Sequence, residues 1–257
     1  MERQSVALAV TNVSFSFGDE PVLRGLSLTC GRGETVAVVG RSGIGKSTLL
    51  NLLCGYYQPD SGVIAVEGAD PVIAAQKQRI GYMLQQPTLL SWMTVRENVI
   101  LPLRLRRDGQ HRGLHSERVH RALTLAQIAS ASKKYPRELS GGMQTRVALA
   151  RAIVAEPALL LLDEPFAALD DIVKESLYSE VQVVAAEAEA ATLLVTHNLA
   201  EATLLADRVV VLGDHNGGPG ATILYEAVVP FPKPRSVSLL GNREFHEVRS
   251  RVREHLR

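Results

Sequence analysis

Gly40-Arg41-Ser42-Gly43-Ile44-Gly45-Lys46-Ser47 carries glycine at its first and sixth positions, lysine at the seventh and a hydroxyl at the eighth. Just before it, Thr35–Val39 reads TVAVV, a β-branched run bounded by Gly33 and Gly40, as suits a buried parallel strand. Just after it, residues 46–53 have helical character. A strand, a glycine-rich turn and a helix form the setting in which backbone N–H groups turn inward around phosphate oxygens, with the positive end of the helix dipole behind them. Lys46 adds a point charge near the β- and γ-oxygens, and the Ser47 hydroxyl can ligate Mg²⁺. An ordinary glycine-rich turn has no need of all four fixed positions at once. The cofactor-binding set thus comprises Gly40, Arg41, Ser42, Gly43, Ile44, Gly45, Lys46, Ser47 and Thr48.

A second element points to the same chemistry. Leu159-Leu160-Leu161-Leu162-Asp163-Glu164 is an apolar strand that ends in two acids. A strand in the same sheet places Asp163 at the carboxyl edge, where it can hold Mg²⁺ directly or through water. Glu164 then points to where an attacking water would sit, a general-base role. No N-K-x-D motif for guanine follows, so the nucleotide is expected to be ATP rather than GTP. Together the two elements describe a P-loop NTPase.

The rest of the chain reads as strands alternating with helices. Short strands are expected within residues 5–30, with a turn at Gly18 and Asp19, then at 63–66, 80–84, 158–162, 192–196 and 209–212. Residues 140–155 and 174–191 read as helices. Such alternation implies a mainly parallel sheet covered on both faces, an α/β fold. The 257 residues suffice for one large core, and a net charge of +1 gives no footprint of a nucleic-acid binder. The Arg-rich stretch at 104–107 reads as a solvated helix end. Cys30 and Cys54 have no metal-ligand spacing and read as reduced thiols. No signal peptide is read at the N-terminus, and no apolar run approaches the roughly 20 residues of a membrane span. Residues 229–235 (VPFPKPR) read as an extended, linker-like segment. An amphipathic helix follows, with Phe245, Val248, Val252 and Leu256 on one face and five Arg against three Glu in residues 242–257. It suits docking on its own domain or a dimer mate better than lying on a membrane.

Five further elements resemble the ABC transporter family, and the resemblance extends over nearly the whole chain, from about Val6. Leu139-Ser140-Gly141-Gly142-Met143 is similar to the ABC signature and precedes the helix that leads to Asp163 and Glu164. In that family Ser140, Gly141 and Gly142 would bind the γ-phosphate held by a second subunit. His197 resembles the switch histidine beside Glu164. Gln85 resembles the glutamine that touches Mg²⁺ and the water, so the metal set implied is Ser47, Gln85 and Asp163, and the catalytic set Glu164, His197 and Gln85. Ala168-Leu169-Asp170 resembles the D-loop, and Phe17 stands where the family stacks an aromatic on adenine, though it could equally be core. The resemblance implies a RecA-like P-loop core with an N-terminal antiparallel β-subdomain and an inserted α-helical subdomain at about 88–155, the cassette spanning 1–228 and the tail 229–257. It further implies a homodimer closing on ATP and Mg²⁺, at the cytoplasmic face of the membrane.

The stretch Gln85-Gln86-Pro87-Thr88-Leu89-Leu90-Ser91-Trp92 is similar to importers of the nitrate, sulfonate, taurine and bicarbonate type. Their partners would be membrane permease subunits and, indirectly, an extracytoplasmic substrate-binding protein, with no nucleic acid. Leu89, Leu90, Trp92 and Met93 would line the groove for the permease, or simply pack the helical subdomain. An exporter subunit or a soluble ABC ATPase is the alternative. Asn198 replaces the usual Asp after the histidine, and Met143-Gln144-Thr145-Arg146 departs from the commoner run after the signature.

Overall fold

The computed structural model describes residues 5–105, 115–214 and 218–256. Its N-terminal strands are long: β1 (Val6–Phe17) and β2 (Glu20–Gly31) form one hairpin, turned by Gly18 at φ +58. Next come β3 (Thr35–Val39), α1 (Lys46–Leu53) and β4 (Ser61–Val66), which pairs with the outer side of β1. The short α2 (Pro71–Gln76) has proline in its first turn, and the Asp70 carboxylate accepts the Val72 N–H at 2.8 Å. Beyond β5 (Ile80–Met83), three helices follow: α3 (Val95–Leu105), α4 (His115–Leu125) and α5 (Gly141–Ile153). The chain then alternates through β6 (Leu159–Asp163), α6 (Asp171–Ala188), β7 (Ala191–Val195), α7 (Leu199–Leu205) and β8 (Arg208–Asp214). It ends with β9 (Ala221–Val228) and α8 (Arg243–Glu254).

Among the described residues, nine strands join one sheet in the order β4-β1-β2-β9-β8-β3-β7-β6-β5. The run β8-β3-β7-β6-β5 is parallel, while β4, β1 and β2 are antiparallel among themselves and β9 is antiparallel to β8. This is the α/β cassette architecture expected from the sequence. Strand alternation divides the interior in two. Val36, Val38, Leu159, Leu161, Leu193 and Val195 face α1 and the hairpin. Ala37, Val39, Leu160, Leu162 and Leu194 face the other helices. Burying such side chains contributes roughly 1.5–3 kcal/mol each. Among the described residues no helix is long and apolar enough to cross a membrane.

Several local expectations shift. The helix expected at 174–191 spans Asp171–Ala188 and stops where Glu189 turns left-handed at φ +49, so Ala191 already belongs to β7. The strand β9 has no counterpart in the sequence reading. The VPFPKPR stretch is pinned rather than slack: Val229 and Arg235 are buried. The Arg235 guanidinium donates to the carbonyls of Thr203, Leu204, Ala206, Val229 and Phe231, at the C-terminal end of α7 and within the strap itself. The Gln182 side chain grips the Arg235 backbone from α6. The last helix docks on its own domain, with Phe245, Val248 and Val252 buried in the core. Of the Arg104–Arg107 cluster, residues 106 and 107 lie outside the described residues.

Candidate functional site

Four neighbouring parallel strands, β3, β7, β6 and β5, end at the same edge of the sheet, with about 4.8 Å between adjacent strands. Beyond their ends stand, in that spatial order, the glycine loop, His197, the Asp163-Glu164 pair and Gln85. Residues far apart in sequence thus form one row, because a parallel sheet gathers every loop that follows a strand at one edge.

The glycine loop has little tolerance for side chains. Gly43 and Gly45 have φ of +78 and +105. A Cβ on Gly40 would come within 2.7 Å of the Leu212 carbonyl, and one on Gly45 within 3.0 Å of Val22. Gly45 caps α1 without a side-chain acceptor, so the first-turn N–H groups face the loop unoccupied by any side chain. The Lys46 ammonium is buried and donates to the Gly40 and Arg41 carbonyls, each at 2.8 Å. Burial pushes it below its ordinary range, against the opposing charges of Glu164 and Asp163.

Asp163 is pushed up by burial and by the adjacent Glu164 charge, and drawn down by the nearby Ser47 hydroxyl and by Lys46. Ser47 and Asp163 therefore present hard oxygen donors side by side, a set that fits Mg²⁺. Gln85 lies exposed just past β5. Glu164 adopts a left-handed backbone at φ +43, which a non-glycine residue adopts only when its surroundings enforce it. Its N–H donates to the Val195 carbonyl at 2.9 Å, extending the β6-β7 ladder by one bond. That turn brings Glu164 Oε2 to 3.1 Å from His197 Nδ1, with the imidazole 65% exposed and the carboxylate 19%.

Ser140 caps α5, its Oγ accepting the Met143 N–H at 3.4 Å. Ser140 and Gly141 are exposed. A Cβ on Gly142 would lie 2.7 Å from Val173 Cγ1, so this helix end seats closely on the first turn of α6. Asp170 caps α6 without a side-chain bond of its own. Phe17 is 49% exposed, edge-to-face with Phe15 at 5.0 Å and with Tyr57 at 5.5 Å, at the rim of an aromatic group rather than in the core. The structure brings together the loop, Asp163, Glu164 and His197. It sets Ser140, Gly141 and Gly142 against α6 instead, with their outer face open.

Two residues near this edge escaped the sequence reading. Arg151 of α5 donates to the Pro87 and Thr88 carbonyls at 2.7 and 2.9 Å, holding the segment after Gln85. Glu201 of α7 is buried within an Ala- and Leu-rich helix, and an acid on such a face was the available signal.

The sheet order, the glycine loop and the inserted helices define an ATP-binding-cassette fold, and solved cassettes share it. A dimeric bacterial ABC transporter cassette, MJ0796, aligns at a TM-score of 0.73 and 27% identity over 88% of this chain and 100% of that one. The protein cbiO1 of Clostridium perfringens, part of the ABC transporter complex cbiONQ, aligns at a TM-score of 0.77 and 26% identity over 88% and 89%. Residues 23–167 match the family model described as ABC transporter, and the chain belongs to that family. It is 38% identical to the aliphatic sulfonates import ATP-binding protein SsuB 1 of Rhizobium johnstonii, over 89% of this chain and 79% of that protein. It is 36% identical to the bicarbonate transport ATP-binding protein CmpD of Synechococcus elongatus, over 95% and 87%. With the nitrate import ATP-binding protein NrtC of the same organism it shares 37% identity over 96% of this chain, which spans 38% of that relative.

Proposed function

We propose that this chain is the ATP-hydrolysing subunit of an importer, working as a pair of copies on separate membrane-spanning permease subunits at the cytoplasmic face of the membrane. The observation that carries the reading is the Glu164–His197 contact beside the glycine loop, at the ends of neighbouring strands. The loop amides and Lys46 hold the β- and γ-phosphates of ATP. Ser47, Asp163 and Gln85 would hold Mg²⁺, which would supply charge neutralisation on the phosphate oxygens. Glu164 accepts a proton from the water that attacks the γ-phosphorus, and His197 fixes that carboxylate and reaches the γ-phosphate. ADP and inorganic phosphate leave. The exposed Ser140 and Gly141, at a helix N-terminus, suit the γ-phosphate of a second copy. Binding closes the pair and hydrolysis reopens it, a ligand-driven population shift.

The permease side is proposed at a groove of about 870 Å³ lined by Lys77, Thr88, Leu90, Leu101, Pro102 and Arg151. Beside it in sequence, Trp92 is 71% exposed, an aromatic anchor of the kind that docking surfaces use. The similarity to the sulfonate, bicarbonate and nitrate relatives favours a small anion as solute, delivered by an extracytoplasmic substrate-binding protein. The test is a pull-down of tagged Glu164→Gln chain, with ATP, from detergent-solubilised membranes of its own host. Recovery of a polytopic membrane protein supports the importer. Recovery of soluble partners alone leaves the ATPase and removes the transport role.

A further inference from the structure

His197 makes its contact with Glu164 although 65% of its side chain is exposed, so something other than burial must aim it. The residues on either side of it supply that support. Thr196 is buried, and its hydroxyl accepts the Asn198 N–H at 3.0 Å, closing a tight turn around His197. The same hydroxyl donates its only proton to Glu201 Oε2 at 2.6 Å. The Asn198 side chain donates to Glu201 Oε1 at 3.4 Å while its oxygen caps α7 through the Ala200 N–H at 2.9 Å. A third donor comes from across the site: the Tyr178 hydroxyl, on α6, reaches Glu201 Oε1 at 3.3 Å. Tyr178 in turn packs edge-to-face at 5.0 Å on Phe166, two residues beyond Glu164.

Three donors therefore converge on the two oxygens of one carboxylate that is only 4% exposed. A carboxylate can accept on both oxygens, whereas a primary amide presents a donor on one side. With Thr196 on one oxygen and Tyr178 and Asn198 on the other, a glutamine would put its NH₂ where one of these groups now donates, so a hydroxyl would have to turn round and accept, or the Asn198 amide would lose its acceptor. A buried anion is costly unless it is fully hydrogen-bonded, so this acid is not there for packing alone.

We propose that Glu201 is a positioning residue for His197, tying the turn that carries the histidine to the helix that follows Glu164, so that imidazole and carboxylate keep one geometry. This rests on the role given above to His197. Glu201 touches no nucleotide and takes no part in proton transfer; it acts through Thr196, Asn198 and Tyr178.

The test compares purified full chains carrying Glu201→Gln, Thr196→Val, Thr196→Ser and His197→Ala, and the double variant His197→Ala/Glu201→Gln, by steady-state ATP turnover and by ATP binding. Misplacement of a catalytic contact by a fraction of an ångström lowers turnover with little effect on binding. Glu201→Gln and Thr196→Val should thus lose roughly 10- to 100-fold in kcat, with KM for ATP within about twofold of the parent. Thr196→Ser keeps the hydroxyl and should restore most of the turnover. On the His197→Ala background, Glu201→Gln should cost little more, because its target is already gone. Parental turnover in Glu201→Gln and Thr196→Val beside a strongly slowed His197→Ala would overturn the proposal and leave the role of His197 intact. Equal losses in Thr196→Val and Thr196→Ser, or loss of ATP binding in step with turnover, would reduce the network to general structure and equally overturn it. Parental turnover in His197→Ala would remove the premise itself. Should Glu201→Gln fail to fold, the Thr196 pair decides.

Discussion

Lys46 spends its charge on two loop carbonyls, Gly40 and Arg41, at a place where phosphate oxygens are expected to compete for it. A charge-assisted hydrogen bond is worth roughly 1.5–3 kcal/mol, so Lys46→Ala should weaken ATP binding about 10- to 150-fold by calorimetry. Undiminished affinity would mean that the nucleotide sits elsewhere. At this scale the sequence was most legible where chemistry demands fixed residue types at fixed spacing: glycines that must take positive φ, a lysine and a hydroxyl after them, an acid pair closing an apolar strand. It was least legible where a residue acts through contacts set by the fold. Nothing local to Glu201 announces that Tyr178, 23 positions earlier, ends beside it. The left-handed turn at Glu164 was equally silent, since no glycine marks it.

Between elements, polar clamps join helices that the two apolar cores alone would leave free to slide. Arg146 of α5 meets Glu180 of α6 at 2.6 Å, with Glu180 buried. Burial raises the Glu180 carboxyl from its ordinary 4.5, and Ser176 and Arg146 pull it back. A carboxyl raised in the folded state binds more protons folded than unfolded, so its contribution to stability falls as pH rises above about 4.5. Arg146→Ala removes the counter-charge and raises the carboxyl further. The variant should therefore lose thermal stability against the parent at pH 8, with the gap narrowing as pH drops toward 5.5. A gap that is constant across that range would mean the ion pair contributes no charge term.

The Arg235 clamp is a second case. Arg235→Ala leaves buried carbonyls of α7 and the strap without a donor, at a cost of about 3–5 kcal/mol. For a chain of this size that corresponds to a fall of roughly 6–20 °C in Tm by calorimetry. A fall under about 2 °C would show that water takes over the carbonyls. The Pro-rich composition of the strap suggested a slack segment because proline removes local hydrogen bonds. The bonds that hold it come instead from Gln182 and the end of α7, which no local pattern reveals. Strand β9 escaped for a related reason: its alternation is weak, and its pairing with β8 on one side and β2 on the other makes it a strand.

Over the whole molecule, the proposed pairing turns on surfaces that one copy leaves open. The glycine loop has Lys46, Asp163, Glu164 and His197 around it, while Ser140 and Gly141 face outward. Two copies set head to tail would supply each loop with the other's exposed helix end, and ATP would be the glue. The chain's hydrophobic pattern and charge could not reveal this, because a pairing that forms only around a ligand need not leave a large apolar patch. The most direct test is size-exclusion chromatography with light scattering on Glu164→Gln, run with ATP and Mg²⁺ and again without nucleotide. A species of twice 27.9 kDa is expected with ATP, reverting to 27.9 kDa when ATP is withheld. A variant that binds ATP and yet stays at 27.9 kDa at all concentrations would contradict the shared-site reading.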